Sequence, residues 1–173
     1  GITTMQMDEG LDTGDMLLKK VIPLEKEETG GSLFDKLSAA GAELLLATLT
    51  ALEKGTVTPE KQGESPTAYA KMLTKEMGAI DWNKDAVSIE RLIRGLNPWP
   101  SAYTHVHDKT LKIWRAEVVA GDETKAPGTV LPGGKGELLV QTGKDALKIT
   151  ELQLEGKKRM DTAAFLRGYT IEE

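Results

Sequence analysis

Cysteine is absent from the 173 residues, which excludes disulfides and thiolate metal sites and is compatible with a reducing compartment. No window approaches the ~20 consecutive apolar residues a membrane-spanning helix needs. No charged-then-apolar targeting segment opens the chain. There is no internal repeat and no low-complexity tract. A phosphate-cradling glycine motif is also missing: Pro132-Gly133-Gly134-Lys135-Gly136 lacks the strand-loop-helix context of such a loop and reads as a hairpin turn. Histidine is scarce. His105 and His107 alternate along one strand-like run, where such a pair reads as surface filling, with a weak metal site as the other use, and no metal is expected. A formal net charge of −5 provides no global basic field for nucleic acid.

What is there suffices for a folded protein. Apolar residues make up 39% of the chain, enough to bury a core, and 173 residues accommodate one large domain or two small ones. Charge is unevenly spread: residues 1–60 carry 5 Lys/Arg against 11 Asp/Glu, and residues 61–173 carry 17 against 16. The second part is therefore free to present a basic face. The chain opens on Gly1, not Met, and enters a strand pattern at once, which reads as a piece cut from a longer protein.

Alternating apolar runs at 1–7 and 16–24 read as two strands around an acidic loop holding Asp8, Glu9, Asp12 and Asp15, with Gly10 and Gly14 supplying backbone freedom. Crowded carboxylates repel one another. A local rule broken in this way marks either a site or simply an acidic hairpin. Thr29-Gly30-Gly31-Ser32 starts a helix, with Ser32 and Asp35 at capping-box spacing. Leu33, Leu37, Ala40, Leu44 and Ala47 form its apolar face, and Phe34, Leu45, Leu49 and Leu52 widen it, so heavy burial on a sheet is expected up to a stop at Gly55. From Thr56 periodicity fades, and Pro59, Gly63 and Pro66 punctuate a surface linker in which Tyr69, Met72 and Leu73 are expected to pack down.

Beyond the linker, Asp85 caps a helix running to about Leu96 with Ile89, Leu92 and Ile93 inward, and Asn97-Pro98-Trp99-Pro100 stops it. Short strands follow at 102–107, 111–120, 128–131, 137–142 and 146–154, separated by turn residues, and a last helix is capped by Asp161. Closely spaced short strands predict a small barrel or sandwich. The three tryptophans, Trp82, Trp99 and Trp114, sit in apolar or Pro-rich surroundings and read as core or interdomain anchors, with base stacking as the other use.

Met5-Gln6-Met7-Asp8-Glu9-Gly10-Leu11-Asp12-Thr13-Gly14-Asp15-Met16 resembles the aspartate loop of the 10-formyltetrahydrofolate-dependent formyltransferases, in the branch acting on methionyl-tRNA. In that family a strand ends in D-x-G-L-D-T-G, whose last Asp is catalytic; here that position is Asp12. Further landmarks come in order: 73–82 (Leu-Thr-Lys-Glu-Met-Gly-Ala-Ile-Asp-Trp), 93–100 (Ile-Arg-Gly-Leu-Asn-Pro-Trp-Pro), Lys112-Ile113-Trp114, Ala126-Pro127-Gly128-Thr129 and Gly156-Lys157-Lys158-Arg159-Met160. The resemblance covers nearly the whole chain. Asp-Trp and Pro-Trp-Pro also occur in formyltransferases of sugar nucleotides, while Met-Gln-Met and Leu-Asn-Pro-Trp-Pro favour the tRNA branch.

The resemblance implies an α/β fragment, the end of a Rossmann-like formyltransferase domain, at residues 1–60, a linker at 61–75, and a mostly β, OB-like tRNA-binding domain at 76–173. It implies 10-formyltetrahydrofolate as formyl donor, with no metal, and an initiator methionyl-tRNA acceptor, in a cytoplasmic protein of translation initiation that is monomeric when intact. Asp12 would be catalytic, and the backbone of Glu9, Gly10, Leu11 and Asp12 would face the pterin. Phosphate contact needs clustered cations, and Lys109, Lys112, Arg115, Lys157, Lys158 and Arg159 are the candidates for tRNA. The family also uses an Asn and a His from an Asn-x-His segment ahead of the loop; nothing here supplies them, and 1–173 alone is expected to be inactive. Two alternatives stand beside this reading: a fragment of a sugar-nucleotide N-formyltransferase, and a non-catalytic RNA-binding module.

Overall fold

A computed structural model describes residues 1–64 and 67–171; Pro66, one of the linker signals, lies outside the described residues. The chain divides into two compact units, Gly1–Lys71 and Met72–Glu173.

In the first unit, β1 (Ile2–Met5) and β2 (Met16–Lys20) form an antiparallel ribbon, from Ile2 opposite Lys20 to Met5 opposite Met16, with a bulge between Thr4 and Met5. Both strands are shorter than their apolar runs suggest, because Met7, Val21 and Leu24 project into solvent. Helix α1 (Gly30–Glu53) lies against the ribbon. Its cap is Thr29, not Ser32. The Thr29 hydroxyl accepts from the Ser32 N–H (3.1 Å), and the Ser32 hydroxyl accepts from the Thr29 N–H (3.0 Å), a reciprocal box with serine at the third position.

The helix buries a narrow stripe, Ala40, Leu44 and Thr48, each four residues from the next. Thr48 joins the stripe in place of Ala47, and its hydroxyl meets that of Thr4 (2.8 Å), tying helix to ribbon. Heavy burial does not occur: Phe34 is 72% exposed and Leu45, Leu46, Leu49 and Leu52 face solvent, since a two-stranded ribbon covers only one side of a helix. Glu28, buried beside the cap, is held below the usual carboxylate range, chiefly by Lys36 Nζ (2.8 Å) and then by the Ser32 hydroxyl.

The linker is more structured than its composition predicts. Glu60 exchanges two backbone hydrogen bonds with Met16, both 2.8 Å, and so lies alongside β2. Tyr69, Met72 and Leu73 are exposed instead of packed down, and Lys75–Gly78 forms a 3-10 turn.

In the second unit, α2 (Ala86–Gly95) is capped by Asp85, whose carboxylate accepts from the Ser88 N–H (2.9 Å). It drives Ala86, Ile89 and Ile93 into the core. Strands β3 (Ala102–Val106), β4 (Lys109–Val119), β5 (Val130–Leu131), β6 (Leu138–Gln141) and β7 (Ala146–Leu154) build one antiparallel sheet in the order β3-β4-β7-β6-β5. A two-residue strand β8 (Met160–Asp161) adds to β7, and α3 (Thr162–Leu166) follows, capped by Asp161. Period-two alternation puts Leu111 and Ile113 of β4 and Leu147 and Ile149 of β7 inside against α2 and Phe165, and after a register shift at 149–151 it resumes with Leu152 and Leu154. The sheet curls and its end strands β3 and β5 are not paired with each other, so among the described residues it is a half-barrel. Trp82 packs on the core as expected, whereas Trp99 is 57% exposed and does not join that core.

Candidate functional site

The loop between β1 and β2 is closed by a backbone bond from Gln6 N–H to Asp15 O (2.8 Å). Within it the Asp8 carboxylate accepts from the Gly10 N–H (3.0 Å) and the Thr13 hydroxyl (2.6 Å). These two donors, the hydroxyl first, hold the Asp8 carboxyl below its usual range. Both glycines are there for close approach. A Cβ on Gly10 would lie 2.1 Å from the Thr13 hydroxyl oxygen, and one on Gly14 would lie 1.7 Å from the Gln6 carbonyl oxygen.

Asp12 therefore sits at the exposed tip of a tightly tied turn, with φ of 56°, a left-handed backbone that side chains other than glycine rarely adopt. Glu9, Gly10 and Leu11 are exposed beside it, Leu11 by 79%. Of their backbone groups, the Gly10 N–H is occupied by Asp8. Among the described residues the Leu11 N–H and the Glu9 and Leu11 carbonyls make no hydrogen bond within the chain and remain open to a ligand. The Asp12 carbonyl is occupied as well, by a residue that sequence reasoning passed over. The Gln62 side-chain amide donates to Asp12 O (2.8 Å) and to Gly14 O (2.6 Å). One polar residue in an aperiodic stretch carries no signal of this.

The cations form a second constellation, on β4, β7 and the turn after β7. Lys112 lies opposite Gln153 and Arg115 opposite Glu151. Bulges on either side of Arg115 break the register near Trp114. The Trp114 ring has Arg159 4.7 Å from its centroid and Lys112 5.8 Å away, and its indole N–H donates to Gln153 (3.3 Å).

Arg159 also grips Glu151 through Nε (2.6 Å) and Nη2 (2.5 Å). The guanidinium, with help from Arg115, holds the Glu151 carboxyl below its usual range. Lys109 begins β4 beside the turn that carries Lys157, because the Glu155 N–H donates to Thr110 O (2.9 Å). Among the described residues Lys109, Lys112, Lys157 and Lys158 make no ion pair, and all but the half-buried Lys112 are exposed. Lys109, Lys112 and Arg115 thus lie on the interior strand β4, and Lys157, Lys158 and Arg159 on the segment that follows its neighbour β7, with Glu151 and Glu155 among them. His105 and His107 are exposed, His107 meeting the Tyr169 hydroxyl (3.2 Å), and no group of three metal-ligating side chains occurs among the described residues.

Residues 72–170 match the model of the formyl transferase C-terminal domain, and residues 1–49 match that of the formyl transferase domain. A methionyl-tRNA formyltransferase of Agathobacter rectalis is 56% identical across the whole of this chain, which spans 56% of that protein. Among solved structures, a methionyl-tRNA formyltransferase from Clostridium thermocellum superposes with a TM-score of 0.52 at 21% identity, over 85% of this chain and 55% of that one. An N-formyltransferase from Helicobacter canadensis, solved with folinic acid and dTDP-3-aminofucose, gives a TM-score of 0.61 at 15% identity, over 85% and 54%. At these identities the structural likeness is one of fold alone. The chain spans about half the length of the curated relatives it matches. No helix among the described residues is long and apolar enough to cross a membrane.

Proposed function

From the premise that this chain belongs to the formyl transferase family, we propose that the whole protein transfers the formyl group of 10-formyltetrahydrofolate to the amine of methionyl-initiator-tRNA. The observation that carries this reading is the 56% identity, over every residue, to a protein named for that reaction. The fold does not choose the acceptor, because an enzyme named for methionyl-tRNA and one solved with an amino-sugar nucleotide share it. Sequence identity does favour tRNA.

In the reaction the acceptor nitrogen attacks the formyl carbon, a tetrahedral intermediate forms, and the bond from that carbon to N10 of the folate breaks. One proton leaves the attacking amine and one is gained by N10, so none is consumed. Asp12 is read as the carboxylate that takes part in this transfer; in support, it is exposed at the loop tip, beside the Leu11 N–H and the Glu9 and Leu11 carbonyls, groups of the kind that complement the donor and acceptor edge of a pterin. The Asn and His that the family pairs with this Asp would belong to the part of the whole protein outside residues 1–173.

The second unit is read as an OB-like module that holds tRNA, with Lys109, Lys112, Arg115, Lys157, Lys158 and Arg159 on the phosphates. Five of these, all but Arg159, make no ion pair among the described residues, which leaves their charge available. The whole protein is read as a cytoplasmic monomer.

The test is formyl transfer by the whole protein from 10-formyltetrahydrofolate to methionyl-initiator-tRNA and, in parallel, to a dTDP-amino sugar. Turnover on tRNA alone supports the reading. Turnover on the sugar alone replaces it with the sugar-nucleotide alternative, and binding of tRNA without turnover replaces it with an RNA-binding module.

A further inference from the structure

We infer that Gln62 is a positioning residue for the reaction, holding Asp12 in place through the backbone; this rests on the function proposed above. A primary amide has two N–H donors on one nitrogen, and here both are spent on carbonyls that bracket Thr13: Asp12 O at 2.8 Å and Gly14 O at 2.6 Å. Asp12 has a φ of 56°, an arrangement that costs free energy for a residue with a Cβ and persists where its surroundings over-determine it. Asp8, through Gly10 and Thr13, ties the loop from one side. Gln62 ties it from the other. Without Gln62 the carbonyls of Asp12 and Gly14 lose their shared donor, and the turn that aims the Asp12 carboxylate is free to relax.

The clamp is itself fixed. Glu60, two residues earlier, pairs with Met16 through two backbone bonds of 2.8 Å, and its carboxylate takes Lys19 Nζ at 2.7 Å. Period-two geometry then carries the side chain of Gln62 past the end of β2 to the loop. The Gln62 nitrogen also lies 3.9 Å from Met5 Sδ, on the bulged side of β1. The stretch at 60–62 is therefore pinned to the site by one isolated bridge at Glu60 and by the Gln62 amide, and is not a passive connection. Only a side chain of glutamine's length with a double donor at its tip satisfies both carbonyls: glutamate of the same shape would set an anion against two carbonyl oxygens, and methionine would leave them unpaired.

The test compares Gln62→Glu and Gln62→Met with the parent and with Asp12→Ala, each in the whole protein. Two measurements are made: steady-state formylation of methionyl-tRNA, and deuterium uptake by peptides covering 8–16 and 33–52. Both Gln62 variants are expected to lower kcat by about 100-fold, the loss that accompanies a reacting group displaced by roughly 1 Å. KM for tRNA should stay within about twofold, since saturating tRNA does not depend on where Asp12 points. Uptake should quicken at 8–16 and stay at the parental rate at 33–52. A kcat within about threefold of an active parent overturns the inference, as does unchanged uptake at 8–16 or a uniform increase across both peptides, which would mark Gln62 as a general stabiliser. A parent that formylates nothing sinks the function reading instead, and the uptake at 8–16 then decides the clamp alone.

Discussion

Replacing Gly14 by alanine should disable the site while leaving the rest of the protein folded. A Cβ at this position would stand 1.7 Å from the Gln6 carbonyl oxygen and 2.8 Å from its carbon, both backbone atoms that cannot rotate away. Real Cβ contacts do not fall under 3.0 Å, so the two segments must part by about 1.3 Å, the difference between 1.7 Å and that floor. Gln6 is the residue whose N–H closes the loop on Asp15 O at 2.8 Å, and a parting of that size stretches the bond past useful range. The displacement is passed to Asp12, two residues away. A shift of about 1 Å in a reacting group costs on the order of 100-fold in rate, so kcat for formyl transfer should fall by at least that much. Gly63→Ala is the matched control: it lies next to Gln62, and its Cβ would meet nothing within 4 Å. The assay is steady-state transfer in the whole protein with both substrates varied. Gly14→Ala retaining activity within about threefold of the parent, or Gly63→Ala losing as much, would refute the reasoning.

Three further outcomes follow from the geometry. Leu147→Ala removes a fully buried side chain from the central strand β7 and should cost about 3 kcal/mol; all three tryptophans lie in the second unit, so urea unfolding followed by tryptophan fluorescence reports that unit directly. The Asp8 carboxyl should titrate below the ordinary aspartate value, so the ordering it gives the loop is present above that value and lost as pH falls through the depressed one. In an NMR titration Thr13→Val should move the midpoint up toward 3.8, since the Thr13 hydroxyl is the larger of its two causes. If Lys112 contacts a tRNA phosphate, Lys112→Ala should weaken tRNA binding and reduce the slope of log affinity against log salt by about one; an unchanged slope would place the contact elsewhere.

Much of the second unit was legible because its signals are local. Asp85 and Asp161 each cap a helix where a short acidic side chain precedes an apolar run, and strands β4, β6 and β7 follow the period-two pattern to within one or two residues at most ends. Short pairings escaped, as with β8, where two residues leave no periodicity to read. In the first unit the periodicity of α1 pointed to Ala40 and Leu44, but it put Ala47 where Thr48 is buried and did not show what covers the helix. Phe34 and Leu46 are as apolar as Leu44, and only the width of the ribbon decides that Leu44 alone of the three is buried. The cap shifted to Thr29 because a serine three residues on completes the reciprocal bonds as a glutamate would.

At the loop, the residue types announced themselves through resemblance, and Gly10 and Gly14 proved to be positions where a side chain has no room. Gln62 did not announce itself. Its role is a long-range contact from a side chain to two backbone carbonyls some fifty residues back, and such contacts are written in the fold, not in spacing.

The most direct test of the account is single-turnover formyl transfer by the whole protein carrying Asp12→Asn, which keeps the size of the side chain and removes its charge. A general acid-base group contributes roughly 10²–10⁴-fold, so the variant should bind 10-formyltetrahydrofolate and methionyl-tRNA as the parent does and transfer the formyl group at least about 100-fold more slowly. Transfer at the parental rate would contradict the account, because the loop would then hold the substrates and leave the chemistry to other residues.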